Sequence, residues 1–145
     1  MNCTFDDRMD AHFEVKDWLQ SHSPSEFTLN NMRRLLRDMV QKEVEPVDDI
    51  RGEYQERTIG MLRGILEYSR EQAEAVVQLQ PSLCLTNAVA GLRDAMEMLP
   101  RASRSATVHI QEAVSNMGSD SGIALERSRQ AASLACMLLG RTSTA

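Results

Sequence analysis

Residues that build β-structure are scarce in this sequence: aromatics make up 4% of its 145 residues, and β-branched side chains are few beside Leu, Met, Ala, Arg, Glu and Gln. That mix favours helices and argues against strands. Long apolar runs are missing too. Nothing approaches the roughly 18 residues that a membrane helix needs, so no membrane partner is expected. The three cysteines, Cys3, Cys84 and Cys136, are odd in number, widely spread, and without a C-x-x-C spacing or a histidine placed for ligation. This pattern argues against a disulfide framework and a zinc site. No metal or cofactor is implied, and Cys84 and Cys136 read as small buried apolar residues. A basic, apolar leader is also absent. "MNCTFDDRMD" carries acids where a secretory signal carries bases, which points to a cytoplasmic protein.

Clustered positive charge is the last absence. The net charge is −5, with 16 acids and 10 bases in residues 1–80 and 5 acids and 6 bases in 81–145. An acidic first half disfavours nucleic acid as the main partner, because affinity for its backbone depends on grouped Lys and Arg. What is present suits a globular fold: 42% hydrophobic and 26% charged residues. A length of 145 residues suits one domain, 1–145, burying roughly 68–70% of its unfolded surface.

Apolar periodicity predicts about six helices. Phe5, Met9, Phe13 and Leu19, widened by Val15 and Trp18, predict a helix over 6–21. "SHSPSE" ends it. Thr28 then caps a helix over 29–43 whose apolar side is Leu29, Met32, Leu36, Met39 and Val40, with Arg33, Arg34 and Arg37 opposite. Pro46, Asp48 and Asp49 mark the start of a third helix, 46–79, along the stripe Val47, Ile50, Tyr54, Met61, Ile65, Tyr68 and Val76. At roughly 50 Å it is far longer than its neighbours, and Gly52 or Gly60 could kink it. Gly60-x-x-x-Gly64 offers a place where another helix can come close. Leu85, Val89, Leu92, Met96 and Leu99 predict a helix over 82–99, halted by Pro100. Ser103 or Ser105 caps the next, 104–117, which Gly118 closes. The last, 121–139, carries Ile123, Ala131, Leu134 and Leu138, with Gly140 after it and a frayed tail over 141–145. The expected fold is all-α, a single bundle or irregular helical array with one long third helix.

Catalytic patterns are thin. No G-x-S-x-G elbow and no phosphate loop with its lysine occur. In "AHFEVKDW", His12 and Lys16 resemble a histidine phosphotransfer helix, but the lysine lies four residues on instead of three and Asp17 follows it, a charge that would repel phosphate. "RSATVH", with Arg104, four residues, then His109, resembles the minimal motif of the HEPN ribonucleases. That resemblance implies a dimeric enzyme in which the pair activates the ribose 2′-OH and stabilises its attack. It spans six residues, and a chain with three His and 14 Arg meets the spacing about once by composition alone.

The third helix looks too long for partners of 15 to 19 residues to cover. Its stripe is therefore the expected binding surface, with Tyr54, Met61, Ile65 and Tyr68 at its centre and Arg33, Arg34 and Arg37 tuning partner choice by charge. The expected function is non-catalytic. It is that of a cytoplasmic helical regulator, adaptor, chaperone or inhibitor of bacterial or phage type, binding a protein partner or itself as a homodimer. The alternatives are the HEPN-like ribonuclease using Arg104 and His109, and an effector exported by a specialised secretion system.

Overall fold

A computed structural model describes residues 5–41, 50–99, 103–118 and 125–142. Six helices make up an all-α array: α1 (Phe5–Ser21), α2 (Leu29–Gln41), α3 (Ile50–Leu79), α4 (Leu83–Met98), α5 (Ser103–Met117) and α6 (Glu126–Thr142), with one 3₁₀ turn at Pro24–Glu26. No strand occurs among the described residues, and no helix of theirs is long and apolar enough to cross a membrane. The expected start of the third helix at Pro46 to Asp49, the last residues of the second at 42–43, and the start of the sixth at 121–124 lie outside the described residues, as do Cys3, Pro100 and residues 143–145.

Local chemistry sets most boundaries. Thr28 Oγ1 accepts the Asn31 N–H at 3.2 Å at the head of α2, and Ser82 Oγ accepts the Leu85 N–H at 3.4 Å at the head of α4. Leu99 is extended (φ −73°, ψ 141°), the conformation a following proline imposes. Gly118 takes φ 67° and closes α5. Two expectations fail. Ser105 lies inside α5 and does not cap it, and Gly140 does not stop α6, which runs on through it to Thr142. "SHSPSE" is not only loop: the Glu26 carboxylate accepts the Ser23 N–H at 2.9 Å and holds a tight turn.

At 30 residues, or about 45 Å, α3 is continuous through Gly52 and Gly60, and it runs through the middle of the molecule. Residues 57–62 are all buried, followed by Gly64, Ile65, Leu66, Tyr68, Ser69 and Ala73. Its buried side chains point to several sides, as in a central helix, while Glu56, Arg63, Glu67, Arg70, Glu71 and Glu74 are only partly covered or exposed. Four shorter helices, α1, α2, α4 and α6, pack against it and together cover a length that none of them spans alone.

The most extensive contact of α3 is with α1. Arg8 sits over Gly60 and His12 over Gly64, so the two helices run parallel, one turn matching one turn. Of the expected α1 face, Val15 and Leu19 are buried as predicted and Met9 is half-buried; Ala11 and His12 join the buried side, and Phe13 is 55% exposed instead. Because glycine has no side chain, the α1 backbone at Arg8 and His12 can lie directly against α3. On another side, α6 meets α3 through two serines that are both fully buried: Ser69 Oγ donates to the Ser128 carbonyl and Ser128 Oγ to that of Ser69, each at 2.7 Å. Both hydroxyls satisfy themselves on the facing backbone, which only a short interaxial distance permits.

Candidate functional site

The structure does not present the expected stripe as a surface. Met61 and Ile65 are 0% exposed, Tyr68 is 1% exposed, and Tyr54 is half-buried. Met61, Ile65 and Tyr68 are core, covered by the chain's own helices. Arg33, Arg34 and Arg37 do stand exposed on the outer side of α2, with Asp38 beside them. Arg104 is exposed on α5 and His109 half-buried. A separation of five residues turns them about 140° apart around one helix, so they do not share a face. Cys84 is exposed, contrary to expectation, because it sits in the first turn of α4 on the outside. Cys136 is half-buried, and burial pushes its thiol up to about 11.

The seam of α1 and α3 is charged. Arg8 is bonded to Glu56, and His12 to Glu67. Lys16 reaches Glu71 at 2.9 Å and Glu67 at 3.6 Å. Arg70 and Arg93 converge on Glu74 at 2.8 and 3.2 Å, carrying the ladder on to α4. For Glu67, burial acts to raise its pKa, but the His12 hydrogen bond and the charges of His12, Lys16 and Arg70 outweigh it and hold the carboxyl below its ordinary value of 4.5. A carboxyl held low contributes stability above its unfolded-state value, and that contribution disappears as pH falls through the lower folded value. Acid unfolding should therefore steepen below about pH 4.5, and Glu67→Gln should flatten that limb while leaving the neutral-pH melting curve lower. An acid limb identical to wild type would show that the seam contributes nothing at this position.

Exposed apolar surface collects at the turn joining α3 to α4. Leu79, the last residue of α3, is 84% exposed and Leu83, the first of α4, is 77% exposed. Between them Gln80, Pro81 and Ser82 make a turn fixed on both sides: the Gln80 N–H donates to the Val76 carbonyl at 2.8 Å and the Thr86 N–H to that of Ser82 at 2.9 Å. Below the tip, Val76 and Val77 are half-buried and Leu85 is buried against the core. The leucines are thus displayed on a turn braced by a backbone hydrogen bond on either side.

A signal for this tip exists in the sequence, and periodicity passes over it. From Ala75 to Leu92 no residue is charged, an 18-residue interval in a chain that is 26% charged. Leu79 continues the line of Met61 and Tyr68 to the last residue of α3, whereas Leu83 lies about 200° around α4 from Leu85, on its outer side. Among the described residues no cluster of His, Cys, Asp and Glu is arranged to hold a metal ion. No protein-family model matches this sequence, and no curated protein or solved structure matches it.

Proposed function

We propose that this chain acts by binding, as a cytoplasmic helical protein–protein interaction module of the regulator, adaptor, chaperone or inhibitor kind, and that it self-associates through the α3–α4 tip. One observation carries the reading: two leucines, 84% and 77% exposed, on a braced turn inside a charge-free interval. Large apolar side chains held in water mark contact surfaces, and the centre of an interface is depleted in charge. The occupant is a second copy of this chain. With a net charge of −5, an approach of two copies elsewhere tends to bring acids together, whereas the interval Ala75 to Leu92 that carries the tip has no charge to set against its copy.

Sedimentation of the purified chain at high micromolar concentration tests it. Wild type should run as a dimer, and the chain with Leu79→Asp and Leu83→Asp as a monomer of unchanged helicity. Each leucine buried in the dimer is worth about 1.5–3 kcal/mol, so together they should weaken pairing about a hundredfold or more. In a Cys3→Ser background, a short bismaleimide should join two copies through the exposed Cys84, while the half-buried Cys136 reacts poorly. A wild-type monomer, or a dimer indifferent to both substitutions, would overturn the proposal.

A further inference from the structure

Between α1, α3 and α4 lies a cleft of about 310 Å³. Its polar lining is unevenly matched. Arg8 is bonded to Glu56, and His12 and Glu67 are bonded to each other. Arg63 also lines the cleft, half-buried, and has neither an ion pair nor a side-chain hydrogen bond among the described residues. The rest of the lining is apolar: Met9 from α1, Met96 from α4, and Phe13, which is 55% exposed and braced edge-on by the His12 ring at 5.2 Å between centroids.

A guanidinium has five donors, no acceptor and a permanent charge, so what completes it is an anion with two oxygens in one plane. Phe13 and the two methionines ask for an apolar body attached to that anion. Glu67 sets the charge. Standing in the same lining, it repels a second negative charge, which favours a monoanion over a phosphate dianion. Size is limited as well. At about 30 Å³ per displaced water the space is worth roughly ten waters, the small end of the range for ligand sites.

We propose that the cleft between α1, α3 and α4 binds a small apolar monocarboxylate, with Arg63 holding the carboxylate and Phe13, Met9 and Met96 covering the hydrocarbon. The site is independent of the tip: it uses other residues on another part of the molecule.

Octanoate is the probe, titrated into the full chain carrying ¹³C-methyl methionine. Saturable shifts are expected at Met9 and Met96, with the exposed Met137 on α6 serving as the reference methyl that stays still. Losing a charge-assisted pair costs about 1.5–3 kcal/mol, so Arg63→Met should weaken binding about tenfold or more, and Phe13→Ser should weaken it too. Arg63 has no partner within the described fold, so Arg63→Met should keep wild-type helicity, and Phe13→Ser on an exposed position provides a second variant that folds. Octanol, which has no charge, should bind far more weakly than octanoate, and octyl phosphate no better than octanoate. Absence of saturable shifts at Met9 and Met96, or equal binding by Arg63→Met, would overturn the proposal. Equal binding of octanol would reduce the cleft to an apolar patch, and tighter binding of octyl phosphate would make it a phosphate site; either result also overturns it.

Discussion

A chain carrying Gly60→Ala and Gly64→Ala together should be less stable than wild type by about 2–4 kcal/mol, a fall in Tm of roughly 6–12 °C at this size. The sign is what makes this informative. In an open helix, glycine to alanine gains about 1 kcal/mol by helix propensity and by restricting the unfolded chain. At Gly60 an added Cβ would lie 2.9 Å from the Arg8 carbonyl carbon and Cα, and at Gly64 it would lie 2.5 Å from the His12 carbonyl oxygen. These are backbone atoms and cannot rotate away, so α1 must lift off α3. Overpacking costs about 1–3 kcal/mol at a site, and a clash with backbone that cannot rotate away falls in the upper half, about 2–3 kcal/mol each; less the roughly 1 kcal/mol that propensity returns at each, the two sites leave about 2–4 kcal/mol. Lifting α1 also lengthens the contacts from Arg8, His12 and Lys16 to the acids of α3. Gly140 provides the control within the same protein: it is helical and exposed, and a Cβ there meets nothing within 4 Å. Gly140→Ala should stabilise by about 1 kcal/mol. Thermal melts of the two variants moving in opposite directions would establish the glycine contact as the joint between α1 and α3. A double variant that melts above wild type would mean that the helices are not held at this distance.

The same pair of helices shows where the sequence was readable and where it was not. Helix α4 was legible almost residue by residue, because Ser82, the period Leu85, Val89, Leu92 and the halt before Pro100 are all local signals. The inward face of α1 was legible only in part: Val15 and Leu19 are buried as their spacing predicts, but ranking by hydrophobicity also puts Phe13 inside, whereas the positions over Gly60 and Gly64 belong to Arg8, His12 and Val15. Gly60-x-x-x-Gly64 announced a close helix contact; that the contacting helix is α1, some 50 residues earlier, is a property of the tertiary fold. The burial of Met61, Ile65 and Tyr68 had a visible cue in "TIGMLRGIL", where Arg63 is the one charged residue among nine. Counting lengths concealed it, since four shorter helices can cover one long one. The exposure of Leu79 and Leu83 is the opposite case. Their composition is that of a core, yet Leu83 stands on the side of α4 opposite Leu85 and Leu92, and Leu79 is the last residue of its helix.

Arg127→Met should cost about 2–4 kcal/mol, and Arg127→Lys should recover less than half of the loss. No local pattern marks this residue, because its partners lie 59 to 108 positions away. From the first turn of α6 its guanidinium donates at 2.6 Å to Tyr68 Oη, to the Leu19 carbonyl and to the His22 carbonyl. It also lies 5.6 Å from the centre of the Phe27 ring. The last carbonyls of a helix have no partner within it and carry the negative end of its dipole, so a cation there closes the end of α1. One side chain thus ties α1, the turn after it, α3 and α6. Hydrogen bonds to a charged group contribute about 1.5–3 kcal/mol each, reduced here because Arg127 is half-buried and water can replace part of what is lost. Lysine carries the charge but not the fork that reaches three acceptors from one planar group. Tyr68→Phe removes one of the three acceptors and should cost about 1 kcal/mol alone. Combined with Arg127→Met it should add almost nothing, since the bond is then already gone. Full additivity in that cycle would mean that Tyr68 Oη is satisfied elsewhere and that Arg127 serves the end of α1 alone.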